Sequence, residues 1–225
     1  MATTVNVPPK VKLLRPPGPG HPGNGGFRNL VPNDGDLRAV QDRAPAPSKA
    51  GIWVVLASIS MSFAAFTSAL VVRQGASLDW HHLALPPVLY FNTVALLASS
   101  VTLELARRRV AVFMGGDRTI DSNPSRWLYV TASLGGVFVA GQYAAWMDLR
   151  SQGLYLATNP NSSFFYLLTA IHALHVLGGL AGLTYVIRKL HGTVLRRSTL
   201  DSFSYYWHFM GILWVYLLLL LWMKL

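Results

Sequence analysis

Cysteine is absent from the 225 residues, which excludes disulfides, thiolate metal sites, covalent haem attachment through CxxCH and cysteine nucleophiles. Charge is scarce as well. Only 12% of the residues are charged, about half the ~25% of a typical soluble domain, and 52% are hydrophobic. So little charge cannot coat a soluble globule of this size. Acidic residues are the scarcest: 9 Asp and Glu stand against 19 Lys and Arg, for a net charge of +10. That balance alone would fit a nucleic-acid binder, and the distribution of the charges decides otherwise. Any redox chemistry would have to rest on the seven His. The opening MATTVNVPPK has no apolar core of the export-signal type, so the amino terminus is not read as a cleaved signal.

Residues 1–49 hold nine Pro and six Gly, a density at which regular structure is not expected. The PPGPGHPGNGG stretch reads as extended or turn-rich chain, and Lys10, Lys12, Arg15, Arg28, Arg38, Arg43 and Lys49 make the tail basic. Such a tail lacks the apolar periodicity to build its own core. It is expected either to be solvated or to lie along a partner's cytoplasmic surface.

Beyond Lys49 come five apolar segments, at 52–72, 88–106, 127–147, 164–187 and 203–223. Each approaches the ~20 residues that a helix needs to cross a hydrocarbon core. The expected fold is therefore an all-α integral membrane protein with five transmembrane helices and an extended amino-terminal tail. Long strands and the alternating pattern of a barrel are not expected. Lys and Arg are retained on the cytoplasmic side during insertion. Seven lie in the tail, five in the 107–126 connection and four in 188–202, against Arg73, Arg150 and Lys224 on the other side. This distribution predicts a cytoplasmic amino terminus and a periplasmic carboxyl terminus. Topology and anionic lipid thus account for the basic balance, and no nucleic acid is implied. Trp53, Trp127 and Trp207 fall at the predicted inner ends, Trp80, Trp146 and Trp222 at the outer ends, and Trp214 mid-helix.

The fourth segment contains HALHVLGGLAG, where His172, His175, Gly179 and Gly182 follow spacings of three, four and three on one helical stripe. Gly178 and Gly182 form a GxxxG pair, and Ala132, Gly136 and Ala140 a comparable run in the third segment. Close helix packing is the ordinary reading of both. Paired intramembrane His could instead ligate haem or copper. Depth opposes this, since His175 falls about 16 Å below the outer face and His208 only about 7 Å from the inner face. Hydrogen-bonded His172, His175 and His208, packed between helices or against lipid or a partner, are the expectation. Asn92, Thr93, Ser99, Ser100, Gln142 and Thr169 are expected to bond between helices. Glu104, the single charge inside a span, precedes Arg107 and Arg108 by three and four residues and is expected to pair with them. No internal repeat, interrupted helix or central carboxylate points to a transporter.

Five runs in order, GIWVVLASISMSFAAFTSA, LPPVLYFNTVALLASSVTLELA, LGGVFVAGQYAAW, NSSFFYLLTAIHALHVLGGLAGLTYV and YYWHFMGILWVYLLLLLW, span about residues 50–225. Together they resemble subunit III of the haem-copper terminal oxidases in its five-helix bacterial form. Three positions depart from that family. Ile59 stands where a first-helix carboxylate is usual, Ala145 where an acid precedes the third-helix aromatic, and Gly211 where YWHF-x-D ends. Acidic, carbodiimide-reactive features therefore do not carry over. The two helices that complete a lipid-holding cleft in seven-helix members are also missing.

The resemblance implies an accessory subunit with no catalytic, cofactor or metal-binding residue. It would pack on subunit I and support sustained, proton-coupled oxygen reduction in a bacterial inner membrane. Haem and copper would belong to partner subunits I and II. Phospholipid, a small subunit IV and a supercomplex with a quinol-oxidising cytochrome c reductase are compatible further partners. His172, His175, Gly178, Gly179, Gly182, Trp207, His208, Asn92 and Gln142 would serve helix packing and lipid or subunit contact. The rival readings are an accessory subunit of nitric oxide reductase with the same fold and a small haem-binding membrane cytochrome.

Overall fold

The computed structural model describes residues 28–33, 36–41, 50–76, 86–115, 124–155, 160–192 and 195–224. Its order is β1 (Arg28–Asn33), β2 (Asp36–Gln41), α1 (Ala50–Ala76), α2 (Val88–Gly115), α3 (Pro124–Ser151), α4 (Pro160–Gly192), β3 (Leu195–Arg196) and α5 (Arg197–Lys224). All five expected helices are present, and each runs past the apolar segment that announced it. The bonded turns continue into polar flanks such as Arg107–Arg109 and Ser198–Ser202. The helices have 27 to 33 residues, about 40–50 Å at 1.5 Å per residue.

Local chemistry sets the boundaries. Proline opens α3 and α4, and Pro86–Pro87 precede α2, their carbonyls accepting the Leu89 and Tyr90 amides at 3.1 Å. A proline loses nothing in a first turn, where the amide has no intrahelical acceptor. Helix α3 stops at Gly153, whose φ of 78° suits a residue without Cβ. The Gly153 and Leu154 amides turn back to the Arg150 and Leu149 carbonyls, closing the helix end.

Helix α2 packs along α3, α4 lies against α3 and α5, and α5 returns beside α2. Helix α1 is the outlier. It meets the others mainly through Leu56, Ile59, Phe63 and Leu70, while Trp53, Val54, Val55, Met61, Val71 and Val72 are exposed. Three of its serines make no demand on a neighbour, because Ser58, Ser60 and Ser62 donate to the carbonyls of residues 54, 56 and 58 in the same helix.

Helices α1, α2 over Val88–Val110, α4 over Pro160–Leu190 and α5 over Ser198–Lys224 are long and apolar enough to cross a membrane. Helix α3 has the length but not the composition, since its glycines, Thr131 and Gln142 dilute an apolar sequence. Thr131 and Gln142 are buried, so that polarity is turned into the bundle.

The tail departs from expectation. Strand β1 pairs antiparallel with β2 from Arg28↔Gln41 to Asn33↔Asp36 and, on its other edge, with β3 through Asn29↔Arg196 and Leu30↔Leu195. Part of the tail therefore docks as a hairpin on this chain's own α4–α5 connection. The pairing joins residues more than 150 positions apart, and no local pattern encodes that. PPGPGHPGNGG and Trp80 lie outside the described residues.

Candidate functional site

The interior of the bundle is ordered by tryptophans reaching across helices. Trp207 and Trp214, seven residues and two turns apart on α5, are both fully buried. Trp207 Nε1 donates to Ser99 Oγ at 3.0 Å and Trp214 Nε1 to Thr93 Oγ1 at 2.9 Å, both on α2. Trp146 of α3 repeats the arrangement, donating to Thr169 Oγ1 of α4 at 3.1 Å. Each hydroxyl in turn donates within its own helix, Thr93 to the Leu89 carbonyl, Ser99 to Leu96 and Thr169 to Phe165. A large ring and one satisfied polar tip thus lock each pair of helices. Thr102 and Thr131 add a hydroxyl pair at 2.8 Å between α2 and α3.

His172 lies inside this lattice with its ring 5.1 Å from Trp214, 5.7 Å from Phe138 and 6.4 Å from Phe63. His175, half-buried, donates from Nδ1 to the Ile171 carbonyl at 2.8 Å, and its own carbonyl accepts Tyr206 Oη–H at 2.8 Å. His208 is elsewhere, with Nε2 3.9 Å from the Glu104 carboxylate. The three His therefore do not converge. Among the described residues no group of three His, Asp or Glu is arranged as metal ligands.

The glycines divide sharply. At Gly179 an added Cβ would come within 2.9 Å of the Trp207 ring and 3.1 Å of Tyr206. At Gly182 it would rest at an ordinary 3.5 Å from Phe203, and at Gly178 it would approach nothing closer than the Tyr206 hydroxyl at 3.9 Å. The fourth-helix stripe therefore admits aromatic rings of α5. Its GxxxG pair does not seat a second backbone. The third-helix reading needs correction, because Gly136 faces open space. Gly135 and Gly141 make the close approaches, the first to Leu180 and Trp207, the second to the amide of Asn92. Spacing had selected the run 132, 136, 140, but the inward face follows Leu128, Thr131, Phe138, Gln142, Ala145 and Leu149. Trp207 also stands corrected as a boundary marker, since it packs in the core.

The three positions that depart from the family pattern are all interior. Ile59 and Ala145 are buried, and a Cβ at Gly211 would press on Ser100 Oγ at 3.3 Å. At the same end as the α4–α5 connection, Glu104 is gripped by Arg107 through Nε at 2.8 Å and Nη2 at 3.0 Å, and by Arg108 Nε at 2.9 Å. Arg107 Nη1 reaches Asp201 of α5 at 3.4 Å. The expected local pair is thus a bridge between α2 and α5. Carbodiimides react with protonated carboxyl groups, and three guanidinium N–H donors hold this one as the carboxylate. Glu104 should therefore label poorly, and Arg107→Leu should raise its labelling, as read by peptide mass mapping. Heavy labelling of the unsubstituted subunit would contradict the grip.

Against this geometry, comparison with known proteins is specific. The family model for cytochrome c oxidase subunit III matches residues 52–224, all five helices. Cytochrome c oxidase subunit 3 of Corynebacterium diphtheriae is 32% identical over 149 residues, covering 64% of this chain and 66% of that protein. The probable subunit 3 of Nocardia farcinica is 32% identical over 73% of this chain and 80% of its own length. That of Thermostichus vulcanus is 29% identical over 76% and 84%.

Proposed function

Because the chain belongs to the cytochrome c oxidase subunit III family, and so is an accessory subunit of a haem-copper oxidase, we propose that it packs on the catalytic subunit as a five-crossing, non-redox scaffold. The observation that carries this reading is the family match over all five helices. The lattice agrees with it, because Trp207, Trp214 and Trp146 fasten helix to helix through Ser99, Thr93 and Thr169. Electrons, haem and copper would be handled by subunits I and II.

In this reading α3 crosses with the other four helices, Thr131 and Gln142 turned inward and Tyr129, Val130, Val137, Tyr143 and Met147 facing lipid or a partner. The amino terminus lies in the cytoplasm and the carboxyl terminus in the periplasm, as the basic residues at the α2–α3 and α4–α5 ends favour. The membrane is the bacterial inner membrane. The exposed apolar length of α1 offers the broadest surface for a partner helix. An apolar groove between α1, α4 and α5, lined by Ile52, Gly178, Phe203 and Tyr206, has the character to take a phospholipid acyl chain. A small subunit IV and a supercomplex with a cytochrome c reductase are compatible with this placement.

Affinity purification through this chain in mild detergent tests the proposal. Co-purification of a haem-bearing catalytic subunit and a copper-bearing subunit, with oxygen-reducing activity, is expected. Recovery with a nitric oxide reductase, or alone at every detergent strength, would overturn it.

A further inference from the structure

Asn92, Gln142 and His172 are at most 1% exposed. Their six side-chain nitrogen and oxygen atoms have no hydrogen-bond partner among the described residues. Shared neighbours place the three residues near one level of the bundle. The Asn92 amide presses on Gly141, next in the chain to Gln142. Gln142 lies one turn from Phe138 on α3, and the Phe138 ring meets His172 of α4. His172 meets Trp214 of α5, and the Trp214 indole returns to Thr93, beside Asn92 on α2. Helices α2, α3 and α4 thus each bring to one level of the bundle a buried polar side chain with no partner among the described residues, and α5 bounds that level with Trp214.

A buried amide without a partner forfeits the hydrogen bonds it makes in water, and surrounding lipid offers none in exchange. The neighbours are of no help. Phe63 and Phe138 are rings without polar atoms, the Trp214 N–H is spent on Thr93, and the Thr93 hydroxyl both accepts from Trp214 and donates to Leu89. Two amides and a neutral imidazole present a balanced mixture of donors and acceptors with no formal charge. Such a mixture suits neither a metal ion nor an anion. Its complement is a molecule with two donors and two acceptors.

We infer that Asn92, Gln142 and His172 form a binding site for ordered water in the interior of the bundle, linking α2, α3 and α4. At roughly three hydrogen bonds per buried water, six atoms correspond to about two molecules. The site goes beyond the scaffold role and does not depend on which oxidase the chain joins.

Radiolytic footprinting of the purified complex tests it, since water bound in place yields hydroxyl radicals that oxidise adjacent rings. Trp214, beside the site, should be oxidised several-fold faster than Trp207, which is equally buried and bonded to Ser99. Paired Asn92→Leu and Gln142→Leu substitutions should reduce the Trp214 rate to that of Trp207. The wild-type comparison decides the matter even where the substituted subunit fails to assemble. Equal rates at Trp214 and Trp207 in the wild-type complex would overturn the inference. So would a Trp214 rate unchanged by the substitutions, or a cryo-EM map in which Asn92 and Gln142 bond directly to each other.

Discussion

Leucine in place of Gly179 is expected to remove the subunit from its complex, and even alanine there should weaken the bundle by about 1–3 kcal/mol, the usual cost of overpacking. A single Cβ would stand 2.9 Å from the Trp207 ring. That ring cannot retreat, because it is fully buried and its nitrogen is tied to Ser99 on the far side. Gly135 closes on Trp207 from α3 at the same 2.9 Å, so Gly135→Leu should behave alike. Two neighbouring positions serve as controls. Gly182→Ala enters ordinary contact and Gly136→Ala enters open space, and both should assemble as the unsubstituted chain does. Subunit stoichiometry after purification in mild detergent reads the result. Loss at Gly182 or Gly136 with tolerance at Gly179 would invert the assignment of faces.

The second large effect is expected at Trp214. Truncation to alanine removes a fully buried indole packed 4.9 Å from Phe138 and 5.1 Å from His172, a class of change that costs about 3–5 kcal/mol. Trp214→Phe keeps an aromatic ring in place and deletes the bond to Thr93 together with a smaller part of the buried volume. An interhelical hydrogen bond of this kind contributes about 0.6 kcal/mol within a membrane, so the Phe variant should assemble with a modestly lower midpoint of thermal dissociation. Size therefore outweighs polarity at this position. A Phe variant as damaged as the Ala variant would show that the hydrogen bond dominates. Trp207 should follow the same order.

The two residues also show how far the sequence could be read. Hydropathy over about 20 residues marks a helix wherever both ends meet water, and all five helices were visible in it. The lattice was only half visible. Asn92, Gln142, His172 and Gly179 stand out as polar or small residues in apolar runs. Which face turns inward depends on neighbours that spacing does not name. Hence the spacing of Ala132, Gly136 and Ala140 marks a run, while the close approaches fall one position to either side of it, at Gly135 and Gly141. A usable signal existed in the seven-residue interval between Trp207 and Trp214, set against the six-residue interval between Ser99 and Thr93 on an antiparallel helix. The β1–β3 pairing had no such signal, because strand edges so distant in sequence meet only after α4 and α5 have brought them together.

The central claim is that this chain fastens helices and carries no redox centre. It is tested most directly by separating the subunit from the purified oxidase and measuring its metal content and visible spectrum. The account predicts a colourless subunit without stoichiometric haem, copper or iron, the chromophores staying with the remaining chains. One haem retained per chain, with its spectrum altered by His172→Ala or His175→Ala, would contradict it.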